Sequence, residues 1–172
     1  MSENKQPVST SFVDIRGVIS KKIRIEDASA KDLDQLCEIE VGCFKKEAFT
    51  RRQMAQLLAD YNSINLLAKE NSTVIGFIMG AVRFDVKRLV GHILTLDVRP
   101  AHRRRGIGRR LLQELENIFR KKDIMECYLE AREDNVAALK LYERLGYRPI
   151  RKLSNYYGDT HGIYLRKVLT QF

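Results

Sequence analysis

Cysteine is scarce in this 172-residue chain: Cys37, Cys43 and Cys127 are the only three, with no CxxC and no paired spacing. An odd, scattered set excludes a disulfide framework and points to a reducing compartment. Histidine is no more abundant, with three in the chain. None clusters with the cysteines, so no metal site is expected. Long apolar runs are missing too. Thr73–Val82 covers about ten residues, half the ~20 that a membrane helix needs. The first twenty residues lack the apolar stretch of a secretory signal. A soluble, cytoplasmic protein is the expectation. There is no internal repeat and no linker-like segment. Residues 1–20 read as a flexible tail or an added edge strand, and residues 21–172 as one domain with a single core. A hydrophobic fraction of 44% argues against disorder throughout.

Positive charge is what the chain has in excess: 31 Lys and Arg against 22 Asp and Glu, a net charge of +9. Nucleic acid, an anionic small molecule and an ordinary solvated surface all fit that number. Its distribution favours the second. Arg103, Arg104, Arg105, Arg109 and Arg110 lie together beside two glycines, with Arg120, Lys121 and Lys122 following. No basic strand interleaved with aromatics supports RNA readout.

Hydrophobic periodicity sets the elements. A short strand at Lys22–Ile25 precedes a helix that Ser29 caps, with Leu33, Leu36, Cys37 and Val41 on its apolar stripe through Phe44. Thr50 with Gln53 forms the capping box of a second helix. Strands follow at Ile64–Ala68, Thr73–Phe84 and His92–Val98, the last ended by Pro100. The near-continuous run Val74, Ile75, Phe77, Ile78 suits a sheet covered on both faces. Then come a helix over Gly108–Lys121, a strand over Met125–Ala131, a helix over Val136–Leu145 closed by Gly146, and strands over Tyr147–Leu153 and Ile163–Leu169. The fold class is α/β of the α+β kind: a mixed, mostly antiparallel sheet flanked by about four helices.

The segment Arg103-Arg104-Arg105-Gly106-Ile107-Gly108 joins a strand to a helix. The first turn of a helix exposes N–H groups without internal partners at the positive end of its dipole. Glycines let that backbone approach a diphosphate, and flanking arginines add charge. A Walker loop is excluded, because Gly108 is followed by Arg109 rather than Lys-Ser/Thr. A dinucleotide fold is excluded by the missing third glycine and acidic partner.

Arg103-x-x-Gly106-x-Gly108 resembles the cofactor signature of the GNAT superfamily of acetyltransferases. Leu129-Glu130-Ala131-Arg132, followed by Asn135-x-x-Ala138-x-x-Leu141-Tyr142-x-x-Leu145-Gly146-Tyr147, is similar to that family's second acetyl-CoA motif. Together with Asn155-Tyr156-Tyr157-Gly158-Asp159, they point to the RimI-type branch, which includes archaeal enzymes acting on protein N-termini. The resemblance implies the GNAT fold, acetyl-CoA as cofactor and transfer to an amine. It implies that the backbone of Leu96, Asp97 and Val98 pairs with the pantetheine arm. Arg103, Arg104, Arg105, Gly106, Ile107, Gly108 and Arg109 would hold the pyrophosphate, and Asn135 and Tyr142 would face the thioester. Residues seven apart on a helix share a face, which suits that last pair independently. Two departures stand out: Asp97 where the family is more often small or apolar, and Lys45-Lys46-Glu47-Ala48-Phe49 where the branch has proline after the residue matching Phe44.

An amine attacking a thioester needs a proton acceptor, oxyanion donors and a proton for the leaving sulfur. Glu130 is the base, through water, or else a solvated strand carboxylate. His92 shares that task, or is a hydrogen-bonded core histidine in phase with Leu94 and Leu96. Tyr142 is the acid for the thiolate, or a packing tyrosine. Phe44, Phe49, Tyr156 and Tyr157 line the substrate entrance; the two tyrosines read equally as cover for the last hairpin. His102 and His161 read as solvated. Neutralising a lysine amine near pH 7.5 costs roughly 3 kcal/mol more than neutralising an α-amine, which favours protein N-termini as acceptors, ribosomal or ribosome-associated proteins among them. A lysine or small-amine acetyltransferase is the alternative within enzymes. A catalytically inert binding module on the same fold is the alternative of another class. No membrane and no specific nucleic acid is expected as a partner.

Overall fold

A computed structural model of the protein describes residues 22–44 and 46–170; the expected tail over residues 1–20 lies outside them. The elements are β1 (Ile23–Asp27), α1 (Leu33–Cys43), α2 (Arg51–Ala59), β2 (Ser63–Glu70), β3 (Thr73–Asp85), β4 (Arg88–Val98), α3 (Ile107–Lys121), β5 (Glu126–Arg132), α4 (Val136–Arg144), β6 (Arg148–Leu153) and β7 (Gly162–Val168). They make one sheet in the order β1-β2-β3-β4-β5-β7-β6, and β4–β5 is its parallel junction. Element order and sheet type are as the sequence indicates.

The caps form as the residue types require. The hydroxyl and N–H of Ser29 both donate to Asp32 Oδ2 at 3.0 Å, closing a 3-10 turn ahead of α1. Thr50 and Gln53 exchange hydrogen bonds at the start of α2. Gly146 closes α4 with φ +90.

One core lies on each face of the sheet. Leu36, Ile39 and Met54 of α1 and α2 cover Phe77 and Met79. Leu111, Leu115 and Phe119 of α3 cover Ile75 and Ile78. The run in β3 is therefore buried on both sides, as its composition demands. Helix α3 sits unusually close. A Cβ at Gly91 would stand 2.5 Å from Phe119 Cε2, so only glycine admits that ring.

Strand β4 begins at Arg88, ahead of the expected His92, because its hairpin with β3 continues in register to Asp85↔Arg88. The charged residues Arg83, Asp85, Lys87 and Arg88 disguise that extension as loop. A second difference matters more. The β3–β4 register passes from Met79↔Thr95 to Gly80↔Ile93, leaving Leu94 as an extra residue. This bulge shifts the side-chain phase. Leu94 packs with the α1–α2 core, whereas Ile93 and Leu96 pack with the α3 core. The expected alternation of His92 with Leu94 and Leu96 is thereby corrected at Leu96, which the shift separates in phase from Leu94 and His92.

Strands β4 and β5 pair only at Gly91↔Cys127 and His92↔Tyr128. Beyond that point they part. Strand β5 stays joined to β7 along its whole length, and the inner edge of β4 runs on to Val98 without a strand neighbour among the described residues.

Candidate active site

A cleft of about 230 Å³ opens where β4 and β5 diverge. His92 is the last β4 residue paired to β5, and Glu130 lies two residues past its partner Tyr128. Their side chains meet across the fork, His92 Nε2 to Glu130 Oε2 at 2.8 Å. They are 19% and 16% exposed. The imidazole stacks on Tyr128, with ring centres 4.3 Å apart. Glu130 is thus a cleft carboxylate with a partner, not a solvated one, and His92 faces the cleft rather than the core.

Helix α4 supplies the facing wall. Asn135, Ala138 and Tyr142 all line the cleft. Asn135 Oδ1 accepts the N–H of Ala138 at 3.2 Å, capping the helix. Its Nδ2 donor is what remains to offer a ligand. Tyr142 is buried, and burial pushes its phenol well above the ordinary tyrosine value. It therefore stays protonated at every working pH.

Aromatic side chains frame the mouth: Phe44 and Phe49 from the α1–α2 loop, Tyr156 and Tyr157 from the β6–β7 loop. Burial raises both tyrosines, and the Glu130 charge adds to the effect. Arg132, at the end of β5, ties the two loops together. Its guanidinium pairs with Glu47 of the first loop, donates to Thr160 of the second at 2.9 Å, and also holds Asp134. It lies 5.8 Å from the Tyr157 ring centre. Nothing in the linear sequence marks Glu47 and Arg132 as partners, since they are 85 positions apart.

Beneath the mouth is a second arrangement that the sequence does not reveal. Thr95 Oγ1 lies 3.2 Å from Glu40 Oε2 and 3.2 Å from Asp97 Oδ2. Glu40 Oε1 accepts the N–H of Phe49 at 3.0 Å. Glu40 and Asp97 are 1% and 2% exposed. Burial and the neighbouring Glu40 push the Asp97 carboxyl up to about 9.

The glycine loop lies at the far end of the β4 edge. Arg104 and Gly106 both adopt left-handed conformations, φ +63 and +76. The loop thus turns sharply and presents the first-turn amides of α3 outward. Three of the clustered arginine side chains have protein partners of their own. Arg103 Nε donates to Val98 O at 3.0 Å, Arg105 is held by Glu70, and Arg110 donates to Ile23 O at 3.0 Å. These carbonyl and carboxylate acceptors lie at the ends of neighbouring strands and claim the nearer guanidinium groups. Arg104 and Arg109 are paired to no described residue. A Cβ at Gly108 would stand 3.6 Å from Leu141 and 3.9 Å from Leu96 and Val98, so the bare backbone here faces the β4 edge and α4 together. Outward amides, an open strand edge and a cleft ending at Glu130 fit an extended diphosphate ligand.

His102 and His161 are not free in solvent. His102 Nε2 lies 3.6 Å from Glu70, and His161 Nδ1 accepts the N–H of Asn155 at 3.0 Å. Both brace loops.

The chain belongs to the acetyltransferase (GNAT) family, which it matches over residues 33–147. It is similar to the N-alpha-acetyltransferase of Sulfurisphaera tokodaii, 29% identical over 84% of this chain and 92% of that one. It is also similar to an uncharacterized N-acetyltransferase of Methanocaldococcus jannaschii, 35% identical over 78% of this chain and 84% of that one. Among solved structures it superposes on Ard1 from Thermoplasma volcanium with TM-score 0.79 and 24% identity, covering 87% of this chain and 99% of that one.

Proposed function

We propose that the protein transfers the acetyl group of acetyl-CoA to the N-terminal α-amine of proteins. The observation that carries this reading is the Glu130–His92 pair at the fork, with Tyr142 on the opposite wall of the same cleft. Acetyl-CoA supplies an activated thioester. The α3 amides from Ile107 to Arg109, with Arg104, hold its diphosphate, and the backbone of Leu96, Asp97 and Val98 pairs with the pantetheine arm as an added strand would. Asn135 Nδ2 donates toward that arm. The acceptor enters between the Phe44–Phe49 and Tyr156–Tyr157 loops. Glu130 accepts the ammonium proton through a water that His92 orients. Tyr142, kept protonated by burial, donates to the departing thiolate. An α-amine, with pKa near 7.7–8.0, gives up its proton to such a site more readily than lysine at ~10.4. Proteins, ribosomal ones among them, provide that amine in a reducing, cytoplasmic setting.

Release of CoA thiol with peptides whose α-amine is free or blocked tests the reading. Free peptides are expected to turn over, and equal turnover of α-blocked, lysine-containing peptides would assign the enzyme to lysine instead. Glu130→Gln is expected to lower kcat by about 10²-fold or more while leaving CoA affinity within about twofold.

A further inference from the structure

A threonine hydroxyl has one proton and donates one hydrogen bond. Thr95 Oγ1 nevertheless stands 3.2 Å from two carboxyl oxygens, Glu40 Oε2 and Asp97 Oδ2. If both carboxyls were ionised, one contact would set two acceptors against each other among side chains that are almost wholly buried. The arrangement is satisfied when one carboxyl carries a proton. The Asp97 carboxyl is the seat for that proton, because Glu40 Oε1 already accepts the backbone N–H of Phe49 while no backbone N–H reaches the Asp97 carboxyl among the described residues. We infer that Asp97 is a neutral carboxylic acid whose proton begins a chain, Asp97 to Thr95 to Glu40 to Phe49 N–H, that positions the acceptor entrance.

Every element packed against Asp97 is consistent with this. Helix α1 presents Glu40 and the Cys43 thiol, whose own ionisation burial opposes. Strand β3 presents apolar Phe77, its register partner, with Met79 beside Thr95. The cation beside Cys43, Arg103, spends its Nε on Val98 O and reaches Cys43 Sγ at 3.4 Å. Tyr142 of α4 is itself buried and kept neutral by that burial, so it brings no charge to Asp97. No described cation makes a direct contact with the Asp97 carboxyl. Its elevated ionisation range, about 9, agrees with the geometry.

The consequence concerns substrate. Glu40 and Phe49 both line the cleft mouth. Losing the Asp97 proton would place a second anion beside Glu40, break the chain and release the Phe49 end of the α1–α2 loop. Asp97 is therefore a positioning residue for acceptor binding, a role that rests on the acetyltransferase reading. Its protonation does not.

Two measurements separate the parts. In full-length protein labelled with ¹³C at aspartate side-chain carboxyls, one resonance is expected at a protonated shift near pH 7, titrating near pH 9 and absent in Asp97→Asn. Complete ionisation of all aspartates near pH 7 overturns the inference outright. In steady-state assays of the native enzyme, KM for an acceptor peptide is expected to rise about tenfold from about pH 8 to pH 10, opposite in sign to the fall that deprotonation of the α-amine, with pKa near 7.7–8.0, would give. KM for acetyl-CoA should stay level. Asp97→Asn, which donates as the neutral acid does, should abolish that rise, as should Glu40→Gln, which removes the charge it opposes. If Asp97→Asn folds and keeps the native rise, the positioning role is refuted. Absence of transfer to any peptide at every pH would instead refute the acetyltransferase reading and leave the resonance result standing.

Discussion

At the scale of the residue, Asp97 also sets a pH dependence of stability. Its folded value of about 9 lies far above that of an unfolded aspartate near 3.9. The folded protein thus holds this proton more tightly than the unfolded chain does. Stability from the neutral acid is complete below about pH 4 and drains away as pH climbs toward about 9, by at most about 1.4 kcal/mol per unit. Between about pH 6 and pH 8.5 the urea midpoint of the native protein is expected to fall more steeply than that of Asp97→Asn. Parallel slopes would show that Asp97 does not titrate in this window. The departure from family habit at position 97 was visible in the sequence, but its meaning was not. A backbone role for Asp97 can be read from a motif, whereas the side-chain environment depends on Glu40, which sits 57 positions earlier by its number.

At the scale of the element, the two mouth loops act as a pair because Arg132 joins them. Its contacts to Glu47 and Thr160 replace a disulfide or a strand pairing as the means of fixing their separation. Exposed ion pairs are worth ~0–1 kcal/mol, but these side chains are 23% and 21% exposed and anchor a binding surface. Arg132→Met is expected to raise KM for the acceptor peptide about tenfold, with kcat and KM for acetyl-CoA changed less than about threefold. Glu47→Gln should do the same more weakly. An equal effect on both KM values would place Arg132 in cofactor binding instead. Helices and strands were legible because their signals are local: periodicity, Thr50 with Gln53, Gly146 after α4. Glu130, Asn135 and Tyr142, which share one cleft, could be singled out because a motif carries them, whereas His92 lies outside both motifs. The Leu94 bulge was not legible, since one inserted residue changes no composition and yet puts Leu96 on the opposite core from Leu94. Loop partners were not either, because charge complementarity has no address in a linear chain.

At the scale of the molecule, the net charge of +9 now has a local meaning. Of the arginines clustered there, Arg103, Arg105 and Arg110 brace the glycine loop, leaving Arg104 and Arg109 beside the helix amides of the proposed diphosphate site. Such a site still draws a polyanion through the field of the whole surface. Raising NaCl from about 50 mM to 500 mM is expected to raise KM for acetyl-CoA several-fold, with a smaller change for an uncharged acceptor peptide. A flat response would assign the binding to non-ionic contacts.

The fork has a further consequence. Two residue pairs are all that stitch β1–β4 to β5–β7 within the sheet. Helix α3 spans the seam only from one side, where Gly91 lets Phe119 nestle against it. An extended pantetheine lying along Leu96 to Val98 would serve as a borrowed strand, so that the donor of the acetyl group also mends the sheet and leaves it open again each time the spent thiol departs.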